Sequence, residues 1–80
     1  MAIDLDARAW RGAVTCGFVL RNIYDYTVWA KIVPNRGRLQ AYVYSRKQGW
    51  ETLGGSFEKT EEGAQAAKQL CEVVLRLEQA

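Results

Sequence analysis

At Thr60 the sequence changes its repeat. From Val14 to Phe57 apolar and polar residues tend to alternate, and from Thr60 onward apolar residues recur every three or four positions. A period of two builds a strand with two unlike faces, whereas a period near 3.6 builds a helix with one apolar stripe. Strands followed by a single helix leave few ways to bury both. The economical one lays the helix across one face of an antiparallel sheet. The expectation is therefore an α+β fold: an antiparallel β-meander of three to four strands with one C-terminal helix packed on one face.

The punctuation agrees. Val14–Arg21 reads as a strand, with Asn22 and Asp25 bracketing a turn. Tyr26–Val33 is the clearest strand, and Pro34-Asn35-Arg36-Gly37 is a strong turn signal. Leu39–Ser45 returns, Arg46-Lys47-Gln48-Gly49 turns again, and Trp50–Phe57 is the last strand, with a bulge expected at Gly54-Gly55. Thr60 suits a helix N-cap, and Glu61 and Glu62 suit the positive end of the helix dipole. Gly63, Ala67, Leu70, Val74 and Leu77 form the expected stripe, widened by Ala66, Cys71, Val73 and Leu75. Glu72 and Arg76 are spaced to pair on the outer face. Residues 1–80 make one domain: an N-terminal arm over 1–12, the meander over 13–57 and the helix over 60–79. Within the arm, Ala2 to Trp10 suits a helical turn or two, with Leu5 and Trp10 reaching the core.

Composition narrows the function. The 80 residues include no histidine and only two cysteines, Cys16 and Cys71. The usual general base is absent, and a four-ligand zinc site within one chain is excluded. A chain this short also leaves little volume for a substrate pocket once its core is filled. A non-enzymatic protein without metal or cofactor is expected. Both cysteines read as reduced core thiols. No apolar run approaches the roughly 20 residues that span a bilayer. The acidic start Met1–Asp6 does not resemble a secretory signal, so a cytoplasmic protein is expected.

Alternation then separates two sheet faces. Val28, Ala30 and Ile32, with Leu39, Ala41 and Val43, suit the face under the helix, joined by Leu53 and Phe57. The other face carries Trp29, Lys31, Tyr42, Tyr44 and Arg46, and the side taken by Trp50 stays open. Arg36, Arg38, Arg46 and Lys47 crowd the two turns. Residues 21–47 hold six basic residues against one acidic; residues 48–80 hold three basic against six acidic. A polarised field of this kind orients an anionic partner.

Three readings of the uncovered face compete. It is cross-strand pairing alone, a protein interface that includes a sheet-to-sheet homodimer, or a nucleic-acid surface. In the last, Lys31, Arg36, Arg38, Arg46 and Lys47 contact phosphates of DNA or RNA, and Trp29, Tyr42 and Tyr44 stack or enter a groove. The protein-binding alternative is an inhibitor or adaptor docking through the same face.

The run Trp50-Glu51-Thr52-Leu53-Gly54-Gly55-Ser56-Phe57-Glu58-Lys59-Thr60-Glu61-Glu62-Gly63-Ala64 resembles the strand-to-helix signature of plant APETALA2-type and phage integrase arm-binding DNA domains, roughly W-x-x-L-G-x-F-x-T-x-E-E-A. The likeness covers about twenty residues, Gly49 to Lys68. One residue is added between Gly54 and Phe57, and Gly63 stands where alanine is usual. The resemblance implies a three-stranded sheet on a helix, with the exposed face entering the DNA major groove through Trp29, Lys31, Tyr42, Tyr44 and Arg46. Double-stranded RNA-binding domains also end in strands and an alanine-rich helix. Their phosphate-clamping lysines are replaced here by Glu58, Glu61 and Glu62, which sets that family aside. In size and class the chain is also similar to phage or mobile-element inhibitors, including anti-CRISPR proteins.

Overall fold

The computed structural model describes residues 8–45 and 47–79. Its elements are β1 (Arg8–Ala13), β2 (Gly17–Asn22), β3 (Val28–Asn35), β4 (Arg38–Ser45), β5 (Gly49–Thr52), β6 (Phe57–Glu58) and α1 (Glu61–Gln79). The strands form one antiparallel sheet in the order β1-β2-β3-β4-β5, and β6 pairs with β4. The α+β meander with a C-terminal helix is thus present, but with six strands among the described residues rather than three or four. The proposed helical turns fall partly on residues outside the described range. Arg8 to Trp10 are strand.

Local chemistry explains the turns. At the β3–β4 hairpin Asn35 pairs with Arg38, leaving Arg36 (φ 52°) and Gly37 (φ 78°) as a two-residue loop. Two consecutive positive φ values define the type I′ turn, whose twist matches that of the flanking strands. Pro34 lies inside β3 opposite Leu39, not in the turn. The last β2–β3 pair is Phe18 with Ile32, so no ladder bond from β2 needs the N–H that proline lacks. The β2–β3 loop is held by Asn22, whose Oδ1 accepts the amides of Tyr24 (2.8 Å) and Asp25 (3.2 Å).

The expected bulge is present. Tyr42 pairs with Thr52 and Leu39 with Phe57, so three steps along β4 match five along its partner. Two extra residues are looped out around Gly54-Gly55. Leu53 keeps its ladder bond to the Ala41 carbonyl (2.9 Å). Arg38 ties the loop down, donating from Nε to Ser56 Oγ (2.9 Å) and from Nη2 to the Ser56 carbonyl (3.1 Å).

Thr60 Oγ1 accepts the Gly63 amide (3.1 Å) and caps α1 as expected. The first helical turn then rests on β6. A Cβ at position 63 would overlap the Glu58 carbonyl oxygen, which is why glycine stands there.

The core lies between α1 and the sheet. Phe18, Leu20, Ala30, Ile32, Leu39, Ala41 and Val43 meet Ala64, Ala67, Cys71 and Leu75. Leu53 and Phe57 pack at its edge as expected. Val28 does not join it. A bulge between Leu20 and Arg21 makes Val28 the partner of Arg21, and it is only half-buried.

The helix stripe is rotated from its expected phase. Ala64, Ala67, Cys71 and Leu75 form its centre, whereas Leu70 and Val74 lie on its flank. Val73, Ala66 and Leu77 are exposed, Leu77 by 70%. The helix lies mainly over β4, β6 and β3 and reaches β1 and β2 through two side chains. Lys68 reaches over the Phe18 ring at 4.0 Å, and Glu72 Oε1 accepts the Trp10 indole N–H at 3.1 Å. Glu72 is therefore engaged with the sheet and not with Arg76. The cysteines also divide. Cys71 is buried as expected, but Cys16 is exposed in the β1–β2 turn. Burial, helped by the adjacent Glu72 carboxylate, pushes the Cys71 thiol up to about 12. Among the described residues no helix is long and apolar enough to cross a membrane.

Candidate functional site

Residues paired across antiparallel strands point to the same face. On the face opposite α1 the register therefore builds a row across the whole sheet: Arg11, Val19, Lys31, Tyr42 and Thr52. Beside it lie Val33 paired with Gln40, Ala9 paired with Arg21, and Tyr44 paired with Trp50. None of these paired positions on β1 to β5 carries a carboxylate. The sequence leaves open the side taken by Trp50. Its pairing with Tyr44 puts it on this face, 42% exposed.

The aromatic side chains are fixed by one another. Tyr44 meets Trp50 edge-on at 5.6 Å and Trp29 edge-on at 6.2 Å between ring centroids. The Tyr42 hydroxyl donates to Gln40 Oε1 at 2.9 Å, and Asn35 Nδ2 donates to the same oxygen at 3.4 Å. The Lys31 ammonium lies 4.6 Å from the Trp50 ring centre and 5.2 Å from that of Tyr42. Arg21 lies 5.6 Å from the Tyr26 ring in the neighbouring loop. Between Arg11, Lys31, Val19 and Val33 the face dips into a shallow depression of about 350 Å³, in which Gly12 and Gly17 add no side-chain bulk.

Of the residues expected to bind, Lys31, Tyr42 and Tyr44 come together here, and Trp50 completes their group. Trp29 does not offer an accessible ring. It sits at the β3 bulge, 8% exposed, with the Arg8 guanidinium 4.6 Å over its ring. Arg36 and Lys47 are exposed in their turns. Arg38 is exposed and engaged with Ser56. Arg46 lies outside the described residues. The two basic turns sit at opposite ends of β4, about 24 Å apart at roughly 3.4 Å per residue, so they do not form one patch.

Sequence reasoning missed Arg11, which joins the face only because residues 8–13 are a strand. It also passed over the β2–β3 loop. There Ile23, Tyr24 and Tyr26 are exposed, Tyr24 by 79%, and Tyr26 adopts φ 60°. Thr27 donates its amide to Asp25 Oδ1 at 2.9 Å in the same loop, and hydrogen bonding from Thr27 holds the Asp25 carboxyl below its usual range.

No family model matches the chain, and no curated protein or solved structure is found to be similar to it.

Proposed function

We propose that this protein is a non-enzymatic binding module that holds nucleic acid on the uncovered sheet face. The observation that carries this reading is the cross-sheet row from Arg11 through Lys31 to Tyr42, with Trp50 and Tyr44 beside it and no carboxylate among the positions paired on that face of β1 to β5. Cations there meet phosphates, and half-exposed rings meet bases. The acidic helix lies on the far side of the sheet, so the polarity of the domain turns the sheet face toward a polyanion. The resemblance of Gly49–Lys68 to sheet-type DNA-binding domains supports the same reading. Free Cys16 and Cys71 suit a cytoplasmic location, where thiols stay reduced.

Fluorescence anisotropy with labelled DNA and RNA tests it. Binding is expected at about 50 mM salt and should weaken steeply toward about 200 mM. Arg11→Ala, Arg21→Ala and Lys31→Ala should each reduce the salt slope by about 1. Absence of binding to either nucleic acid at the lower salt sinks the proposal.

A second reading rests on a different observation. The exposed Ile23, Tyr24 and Tyr26 suit the centre of a protein interface, where Tyr is enriched. An inhibitor or adaptor, of the kind phages use against host defences, would lose its partner on Tyr24→Ala with little effect of salt. Self-association through the aromatic face, the homodimer version, would appear in sedimentation.

A further inference from the structure

Resting on the nucleic-acid reading, we infer that the face takes a single strand, and that Lys31 covers the aromatic rings until a phosphate draws it away. Three observations lead there. First, the sheet is wide. Its five successive strands span four gaps of about 4.8 Å, or roughly 19 Å, whereas the major groove is about 12 Å across and admits a helix or a two-stranded ribbon. A face this broad does not fit into the major groove as a whole. It can lie flat against unpaired bases.

Second, the rings are held and the lysine is not. Tyr42 is tied through its hydroxyl to Gln40, and Tyr44 is wedged between Trp29 and Trp50. Lys31 ends a flexible four-carbon stem, with its ammonium 4.6 Å from the centre of the Trp50 ring and 5.2 Å from that of Tyr42. The ammonium thus occupies the ring surface on which a base would stack.

Third, the exchange runs downhill. A cation over an exposed ring is held weakly, while a charge-assisted hydrogen bond to phosphate is stronger. An arriving strand exchanges the Lys31–ring contact for a Lys31–phosphate contact and uncovers Trp50 and Tyr42 for bases. Arg11 and Arg21, on β1 and β2, extend the cationic track away from the rings.

The test titrates the intact protein with a homopyrimidine oligonucleotide of roughly 4–16 nucleotides, and separately with a duplex of equal length, at about 50 mM salt. Affinity and tryptophan emission are followed together. The single strand is expected to bind at least about tenfold more tightly than the duplex, the gain from one stacked base. The emission change on binding should vanish in Trp50→Phe, since Trp10 and Trp29 are engaged elsewhere. Lys31→Met should shift free-state Trp50 emission and reduce the salt slope by about 1. Equal or tighter duplex binding overturns the single-strand inference and leaves the nucleic-acid reading standing. Single-strand binding with unchanged Trp50 emission overturns the role of Lys31. Binding to neither overturns the nucleic-acid reading itself, and this inference with it.

Discussion

The two faces of the sheet are built from different kinds of side chain for different reasons. Under α1, Ala30, Ala41 and Val43 meet Ala64, Ala67 and Cys71, all small and all buried. Small residues on both sides let helix and sheet approach closely, and Ile32, Leu39 and Leu75 fill what remains. On the other face Tyr42, Tyr44 and Trp50 are large, half-exposed or exposed, and interleaved with cations. A sheet face left in water is ordinarily polar. The first face is what an 80-residue chain needs in order to fold. The second exposes more aromatic surface than folding requires, and it is where a partner is to be sought.

That contrast is broken or sharpened most strongly by truncating the covered face. Leu39 is fully buried between β6 and the helix side of the core. Leu39→Ala removes buried methyl groups and leaves a cavity, so it should cost about 2–5 kcal/mol in urea unfolding. For a domain of this size that is a large share of total stability. Gly63→Ala comes next. Alanine gains about 1 kcal/mol of helix propensity, but its Cβ would overlap the backbone of β6. Overpacking costs typically 1–3 kcal/mol, and a backbone obstacle cannot swing aside. A net loss of up to about 2 kcal/mol is expected; a stabilised variant would mean that the helix start is free to lift from the sheet.

Much of this was legible in sequence because it is local. The Asn35–Arg38 hairpin, the bulge at Gly54-Gly55 and the Thr60 cap each depend on a few adjacent residues. What was not legible depends on distant pairing. Arg8–Ala13 has too little alternation to read as a strand, and it forms one because β2 offers a free edge. Once β1 is present, the sheet extends to Trp10, whose indole N–H engages Glu72 on the helix. The same strand brings Arg11 to the open face. Trp50 could be assigned a face only from its pairing with Tyr44, and Trp29, which meets Tyr44 as the alternation suggests, is less exposed than expected because Arg8 of β1 lies over its ring.

The covered face also carries a pH signature. Cys71 is lifted from an ordinary 9.0 to about 12 by burial and by Glu72. The folded state keeps this proton where the unfolded chain has released it. Stability is therefore fully present below about pH 9 and falls as pH rises toward 12, by up to about 1.4 kcal/mol per unit. Urea midpoints from pH 8 to 10.5 should fall more steeply for the natural chain than for Cys71→Ala, which has no thiol to titrate. Parallel slopes would show that Cys71 is not sealed beneath the helix.

A smaller loss of stability than that from Leu39→Ala is expected from the residue most central to the open face. Trp50→Ala removes one edge-on contact with Tyr44 and one cation–ring contact with Lys31. Each is worth roughly 0.5–1 kcal/mol at a half-exposed site. The residue is already 42% exposed, so truncation uncovers only part of its apolar surface. The two lost contacts alone cost about 1–2 kcal/mol. The Lys31→Met, Trp50→Ala double variant measures how much of it is shared by that pair. A cost as large as that of Leu39→Ala would make the aromatic side chains a second core, and the contrast between the faces would collapse. A small cost with loss of binding would separate the residues that hold the fold from those that meet a partner.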